Sequence, residues 1–301
     1  MDISRARGRQ GRDRAAARHP DASAQLPDAA AVLSRAAGEN FPVAASVLPR
    51  DLRRHLMALY GYFRLVDYAG DEAPGSRETL LDLLEADLAH AYRGTPRVPL
   101  LRALAPTVRE CGIPYEVLVR LIDANRQDQH VRRYQTYAQL VQYCELSANP
   151  VGEAVLHVFG CARPPLVELS DRVCTALQIL EHCQDVVADL QQDRVYLPAA
   201  DLAHFGCELV DLDQRPTPMR WRRLVRFQVV RAERLLEAGA PLVGRLPGLA
   251  RLAVAGYVAG GRATAQAFAA AGYDPIAVHV SPNRVRTAAE WARTLLSGGT
   301  W

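Results

Sequence analysis

The sequence predicts an all-α protein, folded as a single-domain helical bundle around a central cavity over residues 31–301. Three observations carry that expectation. Apolar residues recur at three- and four-residue intervals through most of the chain, and two-residue alternation never persists. No repeat of fixed period and no glycine-rich phosphate loop breaks the pattern. Two long helices, far apart in sequence, carry matched acidic stripes that a bundle can bring face to face across an interior space.

Length and composition bound the rest. With 301 residues, 49% of them hydrophobic and 23% charged, the chain is long enough to bury a sizeable core. The net charge of +3 owes much to six arginines within the first eighteen residues. That stretch has little to bury, so residues 1–30 are expected to be a disordered, arginine-rich tail. No basic–aromatic interleaving follows it, so no nucleic-acid partner is expected. The N-terminus lacks an apolar leader, and no run reaches the ~18–20 apolar residues of a membrane span. The longest candidate, Leu252–Gly261, stops at Arg262. Six cysteines without a C-x-x-C pair read as reduced core residues of a cytoplasmic protein. The eight histidines show no H-E-x-x-H spacing, which argues against a zinc site.

In chain order, a helical pattern begins at Ala30–Gly38, and E-N-F-P at Glu39–Pro42 interrupts it. Pro49-Arg50-Asp51 opens a long helix to Asp71, with proline placed early, where its missing N–H costs little. Glu72–Ser76 ends it. Helices follow at Arg77–Tyr92, Leu100–Cys111, Pro114–His130 and Thr136–Cys144. Within S-A-N-P-V-G at Ser147–Gly152, proline removes a ladder hydrogen bond and glycine permits close approach, so the helix should kink there. An ordinary loop between helices fits the periodicity equally. The second long helix spans Leu166–Gln191, and Val195–Pro198 leaves it for a proline-containing segment to Pro218. Helices at Met219–Ala238, Leu249–Ala271 and near Arg286–Leu296 complete the pattern.

The acidic stripes are the feature with chemistry in it. Tyr60, Arg64, Asp67 and Asp71 fall within an arc of about 60° on a helical wheel, and Gln178, Glu181, Asp185 and Asp189 within about 80°. Spaced acids are ordinarily a solvated face. Here both rows sit among apolar residues, and Arg64 and Gln178 share them, so the acids need a cation or a partner. Carboxylate oxygens suit Mg²⁺, which takes one or two carboxylates plus substrate phosphates. Facing rows of Asp67, Asp71, Asp185 and Asp189, with Arg64 and Arg194 adding positive charge, could hold a diphosphate and favour its departure from an allylic carbon. The resulting cation needs a dry, mostly apolar cavity lined by aromatic faces, for which Phe41, Tyr60 and the small-residue helix Ala253–Ala271 are candidates. On the residues alone, a prenyl-diphosphate enzyme and a structural helical protein both remain open.

Four stretches together resemble the squalene/phytoene synthase family over about residues 38–290. They are E-N-F at Glu39–Phe41, Y-x-x-x-R-x-x-D-x-x-x-D at Tyr60–Asp71 and Y-C-x-x-S-A-N-P-V-G at Tyr143–Gly152, with L-Q-x-x-x-x-x-Q-D-V-x-x-D-x-x-x-x-R-V-Y-L-P at Leu177–Pro198. The resemblance implies an isoprenoid-synthase bundle that ionises an allylic or cyclopropylcarbinyl diphosphate. It places Asp67, Asp71, Asp185 and Asp189 on Mg²⁺, with Glu181 as a further carboxylate ligand. It places Arg64, Arg194 and Tyr196 at the diphosphate and Phe41, Tyr60 and Gln178 along the cavity. Arg64, Tyr60, Gln178 and Tyr196 are the expected catalytic group, and Asn149 and Tyr68 join the expected substrate-binding residues. S-A-N-P-V-G and Gln184-Asp185 resemble the hydroxysqualene synthase branch, in which water quenches the cation derived from presqualene diphosphate.

Three positions depart from the family pattern: Tyr68 follows Asp67 where a second aspartate is usual, Ala69 replaces an isoleucine, and Glu181 stands where asparagine is common. Tyr68 and Phe63 would reshape the pocket in a second reading. There a short prenyl group such as dimethylallyl passes to a carbazole- or indole-type acceptor, and a shortened tunnel with a second, flat pocket is expected. A non-catalytic scaffold with the family fold is a third reading, against which the four aspartates speak. Membrane contact is expected to be peripheral at most, and only with a C30 substrate.

Overall fold

The computed structural model describes residues 26–38, 48–276 and 284–299. Phe41, and with it the E-N-F stretch, lies outside the described residues, as does the tail up to residue 25. The described chain is helical throughout, and its only extended pairing is an isolated bridge between Arg133 and Val195. Among the described residues no helix is long and apolar enough to cross a membrane.

The first helix, α1 (Ala29–Ser34), starts just inside the expected tail, where the Asp28 carboxylate accepts the Ala31 N–H as an N-cap. Next come α2 (Arg50–Asp67), α3 (Arg77–Arg93), α4 (Pro99–Glu110) and α5 (Tyr115–His130). Ser76 caps α3, and Gly94 ends it in the left-handed region at φ 84°. These helices share one core cluster, in which Leu80, Leu81, Leu84, Leu88 and Leu104 are wholly buried. Tyr62 joins them and donates its hydroxyl to the Leu118 carbonyl at 2.8 Å, so its one polar atom is satisfied.

The S-A-N-P-V-G stretch breaks a helix as its proline and glycine predict. Helix α6 (Tyr137–Ser147) stops, Ala148 departs from helical angles at φ −114°, and α7 (Asn149–Val158) restarts at once. Gly152 is required there, because a Cβ would stand 2.3 Å from Ser170 Oγ and 2.5 Å from Cys174 Sγ on α8 (Pro164–Gln184). The second long helix is itself interrupted: Asp185 takes φ −101°, ψ 10°, and α9 (Val186–Gln191) follows as a separate element.

Between Pro198 and Pro218, read from the sequence only as a proline-containing segment, the chain forms α10 (Ala199–Phe205) and a 3₁₀ turn at Leu209–Asp213. Helix α11 (Met219–Gly239) packs along α8, with Trp221 wholly buried. A short α12 (Leu242–Arg245), the small-residue α13 (Gly248–Ala270) and α14 (Arg284–Ser297) finish the bundle.

Arg262, the residue that ends the apolar run of α13, ties these last elements together. Its guanidinium donates to both Glu237 oxygens at 2.8 and 2.6 Å, to Thr294 Oγ1 at 2.9 Å and to the Gly299 carbonyl at 2.9 Å. Arg262→Ala strands Glu237 and unhooks α14, and should destabilise the fold by about 3 kcal/mol. Thermal unfolding of the variant checks this; an unchanged midpoint contradicts it.

Candidate active site

Both acidic rows end at helix irregularities, and these aim the carboxylates. After Asp67 the chain winds one π-turn, Tyr68–Glu72, in which the Ala73 N–H reaches back to the Tyr68 carbonyl at 2.8 Å. The carbonyls loosened by that turn are taken up by neighbours. Gln129 Nε2 donates to Gly70 O at 3.0 Å, and Arg77 Nη2 donates to Asp71 O at 2.7 Å. Gly70 lies so close to α5 that a Cβ would stand 1.9 Å from Asn125 Oδ1. Asp71 is therefore held from both flanks.

The two rows face one cavity of about 570 Å³, within the range of small-molecule sites. Asp67 and Asp71 line it from one side, and Glu181, Asp185 and Asp189 from the other. Tyr60, Arg64, Gln178, Arg194 and Tyr196 line it as well, so ten of the expected site residues share one space. Leu56, Leu59, Val151, Val155 and Tyr257 form apolar wall, the last from the small-residue helix α13.

Tyr68 and Asn149 are not among the lining residues. Tyr68 packs on the leucine-rich core cluster, and Asn149 is buried between helices, where its Oδ1 accepts the Thr175 hydroxyl at 3.0 Å.

Charge is arranged unevenly around the cavity. Arg194 meets Asp71 at 2.6 Å, and Arg64 lies 3.5 Å from Asp67 and 4.0 Å from Glu72. The Nε atoms of Arg64 and Arg194 are buried and have no hydrogen-bond partner. Guanidinium groups that line a cavity, as these two do, suit an anion with several acceptor oxygens. On the opposite row, burial and then the neighbouring Asp185 charge push the Asp189 carboxyl up to about 7. Such crowding calls for a cation. Among the described residues no three acidic, histidine or cysteine side chains converge on one point as a finished cage. Carboxylates from two sides, completed by phosphate oxygens, match the habit of Mg²⁺ better than a closed protein site.

The sequence reading missed a polar cluster at the same end. Asp128, buried on α5, accepts the Tyr143 hydroxyl at 2.6 Å and the Tyr196 hydroxyl at 3.1 Å. Burial pushes its carboxyl up to about 6, while Tyr143 and Arg194 pull it down. The ring of His182 stacks on Tyr196 at 3.9 Å. His182 Nδ1 also lies 3.9 Å from Asp189 Oδ2, but burial holds the imidazole down at about 3, so the pair is not ionic. The backbone delivers Tyr196 and Arg194 to this cluster through the Val195 N–H, which donates to Arg132 O at 2.9 Å beyond the end of α5. Asp128 stands in the polar run that closes α5, and that run was its only signal in the sequence.

Comparisons with known proteins agree with this geometry. Hydroxysqualene synthase of Sinorhizobium fredii is 32% identical over 214 residues, covering 69% of this chain and 71% of the relative. Hydroxysqualene synthase of Rhodopseudomonas palustris is 34% identical over 213 residues, again 69% and 71%. The crystal structure of squalene synthase HpnC from Alicyclobacillus acidocaldarius superposes with a TM-score of 0.75 at 40% identity, over 85% of this chain and all of that one. The squalene/phytoene synthase sequence profile matches residues 34–290, and with the cavity and its two acidic rows this establishes that the chain belongs to the squalene/phytoene synthase family.

Proposed function

We propose that this chain is a hydroxysqualene synthase, which ionises presqualene diphosphate with Mg²⁺ present and lets water capture the cation. The observation that carries this is the shape and polarity of the cavity. Lining residues on α2 and its π-turn run from Leu56 to Asp71, about 22 Å at the helical rise. The charged groups gather at the Asp71 end, and Leu56 and Leu59 mark the apolar end. A five-carbon prenyl group would leave most of that length unfilled, whereas a C30 chain can use it. The aromatic-acceptor reading leaned on Phe63, which lines the cavity, and on Tyr68, which does not.

Each group has a part in this reading. Asp67, Asp71, Glu181, Asp185 and Asp189 are the carboxylates that would hold Mg²⁺, and the metal when bound neutralises the departing diphosphate. Arg64 and Arg194 line the cavity, and their guanidinium groups would bind phosphate oxygens in bonds that strengthen as charge collects on them. Tyr60 and Tyr257 offer aromatic faces to the cation. Gln178, whose amide lies 3.4 Å from His182 Nε2, fixes the polar edge of the wall.

The test is a product assay with purified protein and Mg²⁺. Presqualene, farnesyl, geranyl and dimethylallyl diphosphates are each supplied, with and without indole- and carbazole-type acceptors, and products are read by mass spectrometry. Hydroxysqualene from presqualene diphosphate is the expected result. A prenylated aromatic formed only from a short diphosphate overturns the reading.

A further inference from the structure

The cluster at Asp128 has a directionality that ordinary packing does not require. Asp128, Tyr143 and Tyr196 are 5%, 6% and 7% exposed, yet all three line the cavity. An ionised carboxylate only accepts hydrogen bonds, so each tyrosine hydroxyl must spend its single hydrogen on Asp128. The phenol oxygens are then left with lone pairs and no hydrogens to offer. Their rings cannot turn away. Tyr143 packs on Tyr196 with ring centres 5.3 Å apart, and His182 and Tyr134 stack on Tyr196 at 3.9 and 5.8 Å.

We propose that Asp128 is a positioning residue for the quenching water. By drawing both phenol hydrogens to itself, it makes Tyr143 and Tyr196 a pair of acceptors that hold one water by its hydrogens, with the water oxygen facing the cation. This deepens the hydroxysqualene synthase reading and rests on it. A water persists in such a cavity only where two or more polar partners converge, and the two phenol oxygens meet that condition. The location suits the task. Arg194, two residues from Tyr196 and paired with Asp71, places the diphosphate beside the cluster. The cation starts one bond from the leaving oxygen, and migration of a cyclopropane bond carries its charge only to a neighbouring carbon. In the quenching step the water oxygen forms the C–O bond as a cyclopropane C–C bond breaks to give an alkene, and one of the water O–H bonds breaks. The proton passes to the phenol oxygen that holds it as that phenol's own hydrogen moves to Asp128, and no oxidant or reductant takes part.

Asp128→Asn tests this, because the amide keeps the shape but replaces one acceptor by an N–H donor. One tyrosine hydroxyl must then turn its hydrogen towards the cavity. Products from presqualene diphosphate and Mg²⁺ are resolved into alcohol and proton-loss hydrocarbons. Whatever the change in total turnover, the alcohol fraction should fall about tenfold, the effect of one lost hydrogen bond to the water. Tyr196→Phe, which removes one acceptor outright, should shift the same fraction and carries the test if Asp128→Asn does not fold. An unchanged alcohol fraction in the folded variants, however far turnover drops, reduces the cluster to packing and overturns the proposal. A parent enzyme that makes no alcohol at all overturns the function assigned above, and this inference with it.

Discussion

Asp185→Ala should lower diphosphate release about a thousandfold or more while leaving helix content unchanged. Asp185 occupies the break between α8 and α9 at φ −101°, ψ 10°, a conformation that alanine adopts without strain. Its backbone N–H keeps the bond to Glu181 O at 2.9 Å, and its carbonyl keeps the Asp189 N–H at 2.7 Å. The substitution therefore removes a carboxylate while leaving these two backbone bonds in place. Circular dichroism checks the helices, and a coupled pyrophosphate assay reads the chemistry. Near-normal turnover with Mg²⁺ present contradicts the metal assignment.

Arg194→Lys should be nearly as damaging, with a loss of about a hundredfold in kcat/KM, although the positive charge is retained. Arg194 does two things at once: one guanidinium nitrogen pairs with Asp71 at 2.6 Å, and the group also lines the cavity where the diphosphate would sit. An ammonium is a single point of charge that cannot reach both. The loss should appear mainly in kcat, because donors aimed at the leaving group gain strength as its charge develops. A lysine variant with parental kcat and a raised KM contradicts this, since it reduces Arg194 to a ground-state anchor.

How much of this was legible in the sequence depends on whether the cause was local. The i, i+4 spacing of Asp67/Asp71 and Asp185/Asp189 is a local property, and both rows do face one cavity. The break at Ala148 was readable from Pro150 and Gly152. The break at Asp185 was not, because H-C-Q-D-V contains no proline or glycine, and the expected helix ran unbroken to Gln191. The π-turn after Asp67 was hidden for the same reason. It is anchored by Gln129 and Arg77, one of them distant in sequence. Asn149 sits in a motif but serves helix packing through Thr175, a contact no spacing reveals. Asp128 was missed because its partners come from residues 15 and 68 positions away. Helix α10 was passed over within the proline-containing segment, although Pro198 before it and Gly206 ending it at φ 65° are local signals.

Two acidic rows and two arginines should act as one Mg²⁺-dependent diphosphate site at the polar end of the cavity. Calorimetric titration with a non-ionisable thiolo analogue of presqualene diphosphate tests it most directly. Tight binding is expected with Mg²⁺, with loss on chelation and in Asp67→Asn and Asp185→Asn, one substitution from each row. Equal affinity with and without Mg²⁺, or binding that survives in both variants, would contradict the account.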